Sequence, residues 1–129
     1  MDFKAIKIIF TLLFILFISS FSQIKEEKIK EEKILEDWRN DTLGCLGYRN
    51  SEKAIYLRDS LGLNAKSKIF VLEKLGIPNF IQENKETEVF KYYFNGICRD
   101  GKLIDSVDYC WFEILFISNQ VRNTSIVCY

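Results

Sequence analysis

The sequence predicts an α+β fold: two helices packed on one face of a three-stranded antiparallel meander, behind a leader made for export. Three observations lead there. An apolar run with basic residues before it opens the chain. Two segments with helix-start and helix-stop residues occupy its middle, and aromatic residues at two-residue spacing crowd its last third.

The leader comes first. Lys4 and Lys7 stand ahead of an apolar run, residues 8–18, broken only by Thr11, and Ser20-Phe21-Ser22 follows. Basic, apolar, then small-x-small is the order of a secretory signal peptide, with cleavage expected before Gln23. A membrane anchor needs roughly 20 apolar residues, and this run is shorter and ends among serines. No cysteine precedes Cys45, so no lipid anchor is expected at the cleavage site. The chain therefore divides into a signal peptide (1–22), a charged Lys/Glu leader that is partly helical (23–37) and a folded domain (38–129). The charged leader repeats Ile-Lys-Glu-Glu-Lys at residues 24–28 and 29–33. A five-residue apolar spacing suits no helical seam, so this part reads as a solvated spacer, with a partner-binding helix as the alternative.

Composition narrows the function. Without Asp2, Lys4 and Lys7, the exported part holds 16 basic and 17 acidic residues. A near-neutral chain lacks the electrostatic footprint of a nucleic-acid or anionic-lipid binder. Cys45, Cys98, Cys110 and Cys128 all lie in the exported part, and an even number in an oxidising compartment predicts two disulfides. Each closed loop contributes roughly 2–4 kcal/mol. The chain has no C-x-x-C pair and no histidine, so zinc-ligand spacing is missing. No metal or cofactor is expected.

Within the domain, residues 42–47 form a turn-rich loop around Cys45. Asn50 and Ser51 offer an N-cap to a first helix over residues 52–61, which stops at Gly62. Ser67 caps a second helix whose Ile69, Leu72 and Leu75 recur at a spacing of three, with Val71 beside them. Gly76 and Pro78 end it. Residues 79–87 are polar without period. Three strand-like runs follow, at residues 88–98, 108–118 and 121–129. In the first, Phe90, Tyr92 and Phe94 alternate with Lys91, Tyr93 and Asn95. The second is apolar on nearly both faces and takes the centre. Asn119 and Gln120 turn it into the third.

A short helix opened by Ser67 and closed by Leu75-Gly76-Ile77-Pro78, approached through Leu61-Gly62-Leu63, then an aromatic strand with Phe90-Lys91-Tyr92-Tyr93, resembles the BamE (SmpA/OmlA) family. The resemblance spans roughly residues 48–128. It implies two helices on a three-stranded antiparallel sheet, the order read above from the residues themselves. BamE is a lipoprotein of the outer-membrane assembly machinery, and a duplicated form of the same fold is a secreted β-lactamase inhibitor. This chain departs from the family in lacking the lipid-accepting cysteine, in carrying four cysteines, and in having Asn64-Ala65-Lys66 before the second helix. The resemblance therefore implies the fold and not the assembly role.

Chemistry is sparse. Without histidine there is no imidazole base for a serine or cysteine nucleophile. Asp100, Asp105 and Asp108 cluster on the connection between the first two strands, where a solvated turn is the simpler reading than catalysis or calcium binding. No catalytic residue is expected. Glu113 is the odd charge of the central strand. It reads as solvated on the outer sheet face, or paired with Lys91 or Arg122. Lys91, Tyr93, Trp111 and Glu113 then share the sheet face away from the helices. That face is a candidate protein-binding surface, or else it is covered by the segment around Trp38.

The resulting expectation is an exported, periplasmic or extracellular, non-enzymatic binding or envelope-assembly module whose partner is an envelope or secreted protein. The alternative is a secreted inhibitor or immunity protein that blocks a hydrolase through its open sheet face. For the disulfides, Cys98–Cys110 with Cys45–Cys128 is the favoured pairing, and Cys110–Cys128 with Cys45–Cys98 competes. A one-residue shift of register would change the choice.

Overall fold

A computed structural model describes residues 3–94, 96–104 and 110–128. The chain falls into two compact units, residues 1–32 and 33–129. The first unit belongs to helix α1 (Phe3–Asn40). Its apolar side chains from Ile8 to Ile18 are exposed, and the helix is long and apolar enough to cross a membrane by length and composition.

The second unit begins at Lys33, ahead of the expected start at residue 38. The reason is packing: Ile34, Leu35 and Trp38, on the last turns of α1, are already buried in the core. Past Asn40 the chain turns through Gly44, which holds a left-handed φ of 68°.

Helices α2 (Ser51–Ser60) and α3 (Lys68–Leu75) follow. The Asn50 side chain accepts the Lys53 N–H at 2.9 Å, satisfying a first-turn donor that the helix itself cannot. At the other end of α2, Gly62 N–H donates to the Asp59 carbonyl and Leu63 N–H to the Arg58 carbonyl, the paired bonds of a Schellman stop. Ser67 Oγ accepts the Phe70 N–H at 3.1 Å to open α3, and Gly76 ends it at φ 79°. The buried stripe of α3 is Val71 and Leu75, one turn apart. Ile69 and Leu72, expected in that stripe, face outward instead.

The sheet has four antiparallel strands rather than three, ordered β1-β2-β5-β6. β1 (Phe80–Glu83) lies in the stretch expected to be irregular. Every residue of it is exposed, so no burial alternation marks it in the sequence. It forms because the edge of β2 (Thr87–Phe94) needs main-chain partners, with Phe80 opposite Lys91 and Glu83 opposite Glu88. The long first run of the sequence ends as a ladder at Phe94. Cys98 belongs to a separate hairpin, β3 (Cys98–Arg99) with β4 (Lys102–Leu103), turned by Asp100 and Gly101 at positive φ. β5 (Cys110–Ile117) is central and pairs with β6 (Gln120–Cys128). Ser118 and Asn119, both at positive φ, make the tight turn between them, one residue earlier than expected. The register slips between Leu115 and Phe116, which leaves Arg122 as the extra residue of a bulge. The expected strand ends at Asp108 and Tyr129 lie outside the described residues.

Alternation along the ladders sorts the sheet into two faces. Phe90, Tyr92, Phe94, Phe112, Ile114 and Phe116 are buried together with Ala54, Leu57, Val71 and Leu75 from the helices and with Trp38. Trp38 meets Phe112 edge-on, with ring centres 6.0 Å apart, and lies 6.1 Å from Tyr92. Each of these large side chains contributes about 1.5–3 kcal/mol on burial.

The disulfides are Cys45–Cys98 and Cys110–Cys128, which reverses the favoured pairing and realises its competitor. The register decides this. Cys110 has Cys128 directly opposite on one side and Phe94, not Cys98, on the other. Cys98 lies four positions beyond Phe94 and meets the loop that carries Cys45.

Candidate functional site

Antiparallel pairing places Lys91 opposite Glu113 and Tyr93 opposite Trp111. The four residues of the expected binding face therefore do assemble on one surface of the sheet. Lys91 Nζ lies 3.1 Å from Glu113 Oε1, with 16% and 19% of the two side chains exposed. Of the partners expected for Glu113, the structure selects Lys91. The rings of Tyr93 and Trp111 are 3.8 Å apart between centres, and the Lys91 ammonium lies 5.6 Å from the Trp111 ring centre. Trp111 is only 8% exposed. It acts as a packing residue beneath its neighbours, not as an exposed aromatic anchor. Trp38 does not cover this face, because it packs against Tyr92 and Phe112 on the opposite one.

A polar node that the sequence does not announce sits at the end of α1. The Asp41 carboxylate accepts two main-chain N–H groups, from Leu46 and Arg49, each at 2.9 Å, and so closes the Cys45 loop. The buried Arg49 side chain donates from Nε to the Trp38 carbonyl at 2.8 Å. From Nη1 it donates to the Thr42 carbonyl and to Asn79 Oδ1. Asn79 Oδ1 also accepts the Tyr93 N–H at 2.8 Å, which ties the node to the sheet. Burial pulls the Arg49 guanidinium down to about 10, against the opposing pull of Asp41. Burial likewise pushes the Tyr92 phenol up, with Arg49 working the other way. Tyr92 Oη donates to the Gly76 carbonyl at 2.9 Å. Asp41, Arg49 and Asn79 stand 8 and 30 residues apart in sequence, and no spacing motif links them.

Of the aspartate cluster, Asp100 occupies the exposed β3–β4 turn, while Asp105 and Asp108 lie outside the described residues. Two adjoining hollows, of about 510 and 220 Å³, run between α2 and β6 and share Arg58 and Thr124 in their walls. A third, of about 570 Å³, lies at the turn end of the sheet beside the Lys68–Glu88 ion pair, where lysines and glutamates alternate.

Among protein-family models, curated proteins and solved structures, none matches this chain.

Proposed function

We propose that this chain is an exported, non-enzymatic binding module that works at or beyond the cell envelope. The observation that carries the reading is the pair of disulfides, Cys45–Cys98 and Cys110–Cys128, in a domain that follows an apolar N-terminal helix. Disulfides persist in oxidising compartments, and an apolar N-terminal helix is the usual route to them. The periplasm or the extracellular space is the proposed location, and an envelope or secreted protein the proposed partner. The BamE-like resemblance, carried by the helix stop and the aromatic strand, concerns the fold and adds nothing to the role. The inhibitor reading is the weaker of the two, because the sheet face it would use holds a buried Trp111 and a closed Lys91–Glu113 pair.

The test is expression of the full chain with a C-terminal tag, followed by fractionation, thiol labelling and in-cell cross-linking. The expected result is an oxidised protein in the exported fraction, cross-linked to one envelope or secreted protein. Recovery in the cytosol with four reactive thiols would end the proposal.

A further inference from the structure

Building on that reading, we infer that the free edge of β6, in the groove it forms with α2, receives an extended segment of the partner carrying an acidic side chain. The two edges of the sheet are unlike. β1 is four residues long and runs into the charged stretch Glu83-Asn84-Lys85-Glu86, the kind of short, charged border that discourages pairing. β6 is nine residues long, and among the described residues its outer side has main-chain partners at its start alone. There, Ala65 N–H donates to the Val121 carbonyl, and Val121 N–H donates to the Lys66 carbonyl. Beyond Val121, no main-chain bond from β6 to anything but β5 is found among the described residues.

The direction of the free groups follows from the ladder. Cys110 and Cys128 are directly opposed with Cα atoms 4.1 Å apart, the close spacing of a non-hydrogen-bonded antiparallel pair. By the two-residue period, Ile126 opposite Phe112 and Thr124 opposite Ile114 are of the same kind. Their N–H and C=O groups therefore point away from β5, along the side where the two hollows lie. The segment 65–67 already pairs with the start of β6, and a docked strand would continue that line.

Charge selects the occupant. Arg58 projects from α2, and Arg122 is lifted out at the bulge, while Asp59 is the one carboxylate among the described residues that line the hollow of about 510 Å³. Asp59 is engaged by Arg58, with Nε and Oδ1 2.6 Å apart. Arg122 is exposed on the rim. An extended chain with a glutamate or aspartate complements this edge, and one with a lysine does not.

NMR of the labelled, oxidised full chain in detergent micelles tests the inference directly and does not depend on export. The probe is a short capped peptide alternating valine and threonine about a central glutamate, beside its lysine counterpart. The expected result is slowed exchange of the Thr124 and Ile126 amides with the glutamate peptide. Binding should be about fivefold tighter than for the lysine peptide, and Arg122→Glu should reverse that preference. Thr124→Pro removes an outward N–H without touching the β5 ladder and should abolish binding, while the amides of β2 and β5 report that the sheet is intact. Equal binding of the two peptides, or protection elsewhere, overturns the inference. So does protection of Thr124 and Ile126 in the free protein with the mass of a dimer, which assigns the edge to a second copy. Loss of export with normal peptide binding would sink the proposed function and leave the edge standing.

Discussion

Arg49 holds Trp38 at both ends: its Nε donates to the Trp38 carbonyl at 2.8 Å, and its guanidinium carbon lies 5.2 Å from the centre of the Trp38 ring. The same guanidinium lies 5.6 Å from the Tyr92 ring. One buried cation thus joins the end of α1, the Cys45 loop and the sheet.

Replacing it should be costly. Arg49→Leu removes the side-chain donor of the Trp38 carbonyl and one of two donors each from the Thr42 carbonyl and Asn79 Oδ1. A loss of about 3 kcal/mol is expected, and Arg49→Lys should recover only part of it, since an ammonium cannot reproduce the planar fork. Urea unfolding followed by tryptophan fluorescence measures both. A change below about 0.5 kcal/mol, the size expected of an ordinary surface substitution, would remove the node from any account of stability.

Tyr92 and Arg49 act in opposite directions on stability in alkali. Burial raises its phenol above the ordinary 10.0, so the unfolded chain loses this proton first. The stability it lends is complete below about pH 10 and falls as pH rises past it. Arg49 has the opposite sign: burial lowers its value from the ordinary arginine range to about 10, so the unfolded chain holds that proton longer, and stability rises with pH from about 10 upward. Tyr92→Phe removes the first effect and keeps the second. The variant should be less stable by about 1 kcal/mol near neutral pH, having lost the bond to the Gly76 carbonyl. The gap should then narrow above pH 10. Urea midpoints taken across that range decide it, and a gap that widens contradicts the assignment.

The two disulfides should differ in worth. Cys45–Cys98 spans 53 residues and Cys110–Cys128 spans 18. The chain-entropy relation gives about 4 and about 3 kcal/mol for loops of these sizes. The paired Cys45→Ser, Cys98→Ser variant should therefore unfold at lower denaturant than the Cys110→Ser, Cys128→Ser variant. Peptide mapping without reductant should recover the same two pairs. A Cys98–Cys110 peptide would mean that the register of β2 against β5 is different.

Gly44 and Gly47 separate two costs that usually come together. Both have positive φ, 68° and 77°. At Gly47 a Cβ meets open space, so Gly47→Ala should lose about 1 kcal/mol from backbone strain alone. At Gly44 a Cβ would stand 2.9 Å from the Phe94 Cα, and backbone cannot step aside as a flexible side chain can. Gly44→Ala should cost at least twice as much and should slow closure of the Cys45–Cys98 bond during oxidative refolding. Equal losses at the two positions would show that the loop is not seated on β2.

Local chemistry was enough to place the two short helices, because Asn50, Ser67, Gly62 and Gly76 act on main-chain groups within one turn of themselves. It was also enough for the core face of β2, where Phe90, Tyr92 and Phe94 keep a strict alternation. The same alternation brought Lys91, Tyr93, Trp111 and Glu113 to one face. What failed was whatever depended on a neighbour distant in the chain. β1 exists to complete the hydrogen bonds of β2, and its exposed residues carry no periodic mark. Ile69 and Leu72 look like core, but the side of α3 turned to the sheet belongs to Val71 and Leu75. The burial of Trp111 and the joining of Asp41, Arg49 and Asn79 likewise arise only when separate segments meet. Disulfide pairing shows the division most plainly. Export and an even number of cysteines call for two bridges, whereas which sulfurs meet is decided by strand register, and a shift of one residue there moves every side chain to the other face.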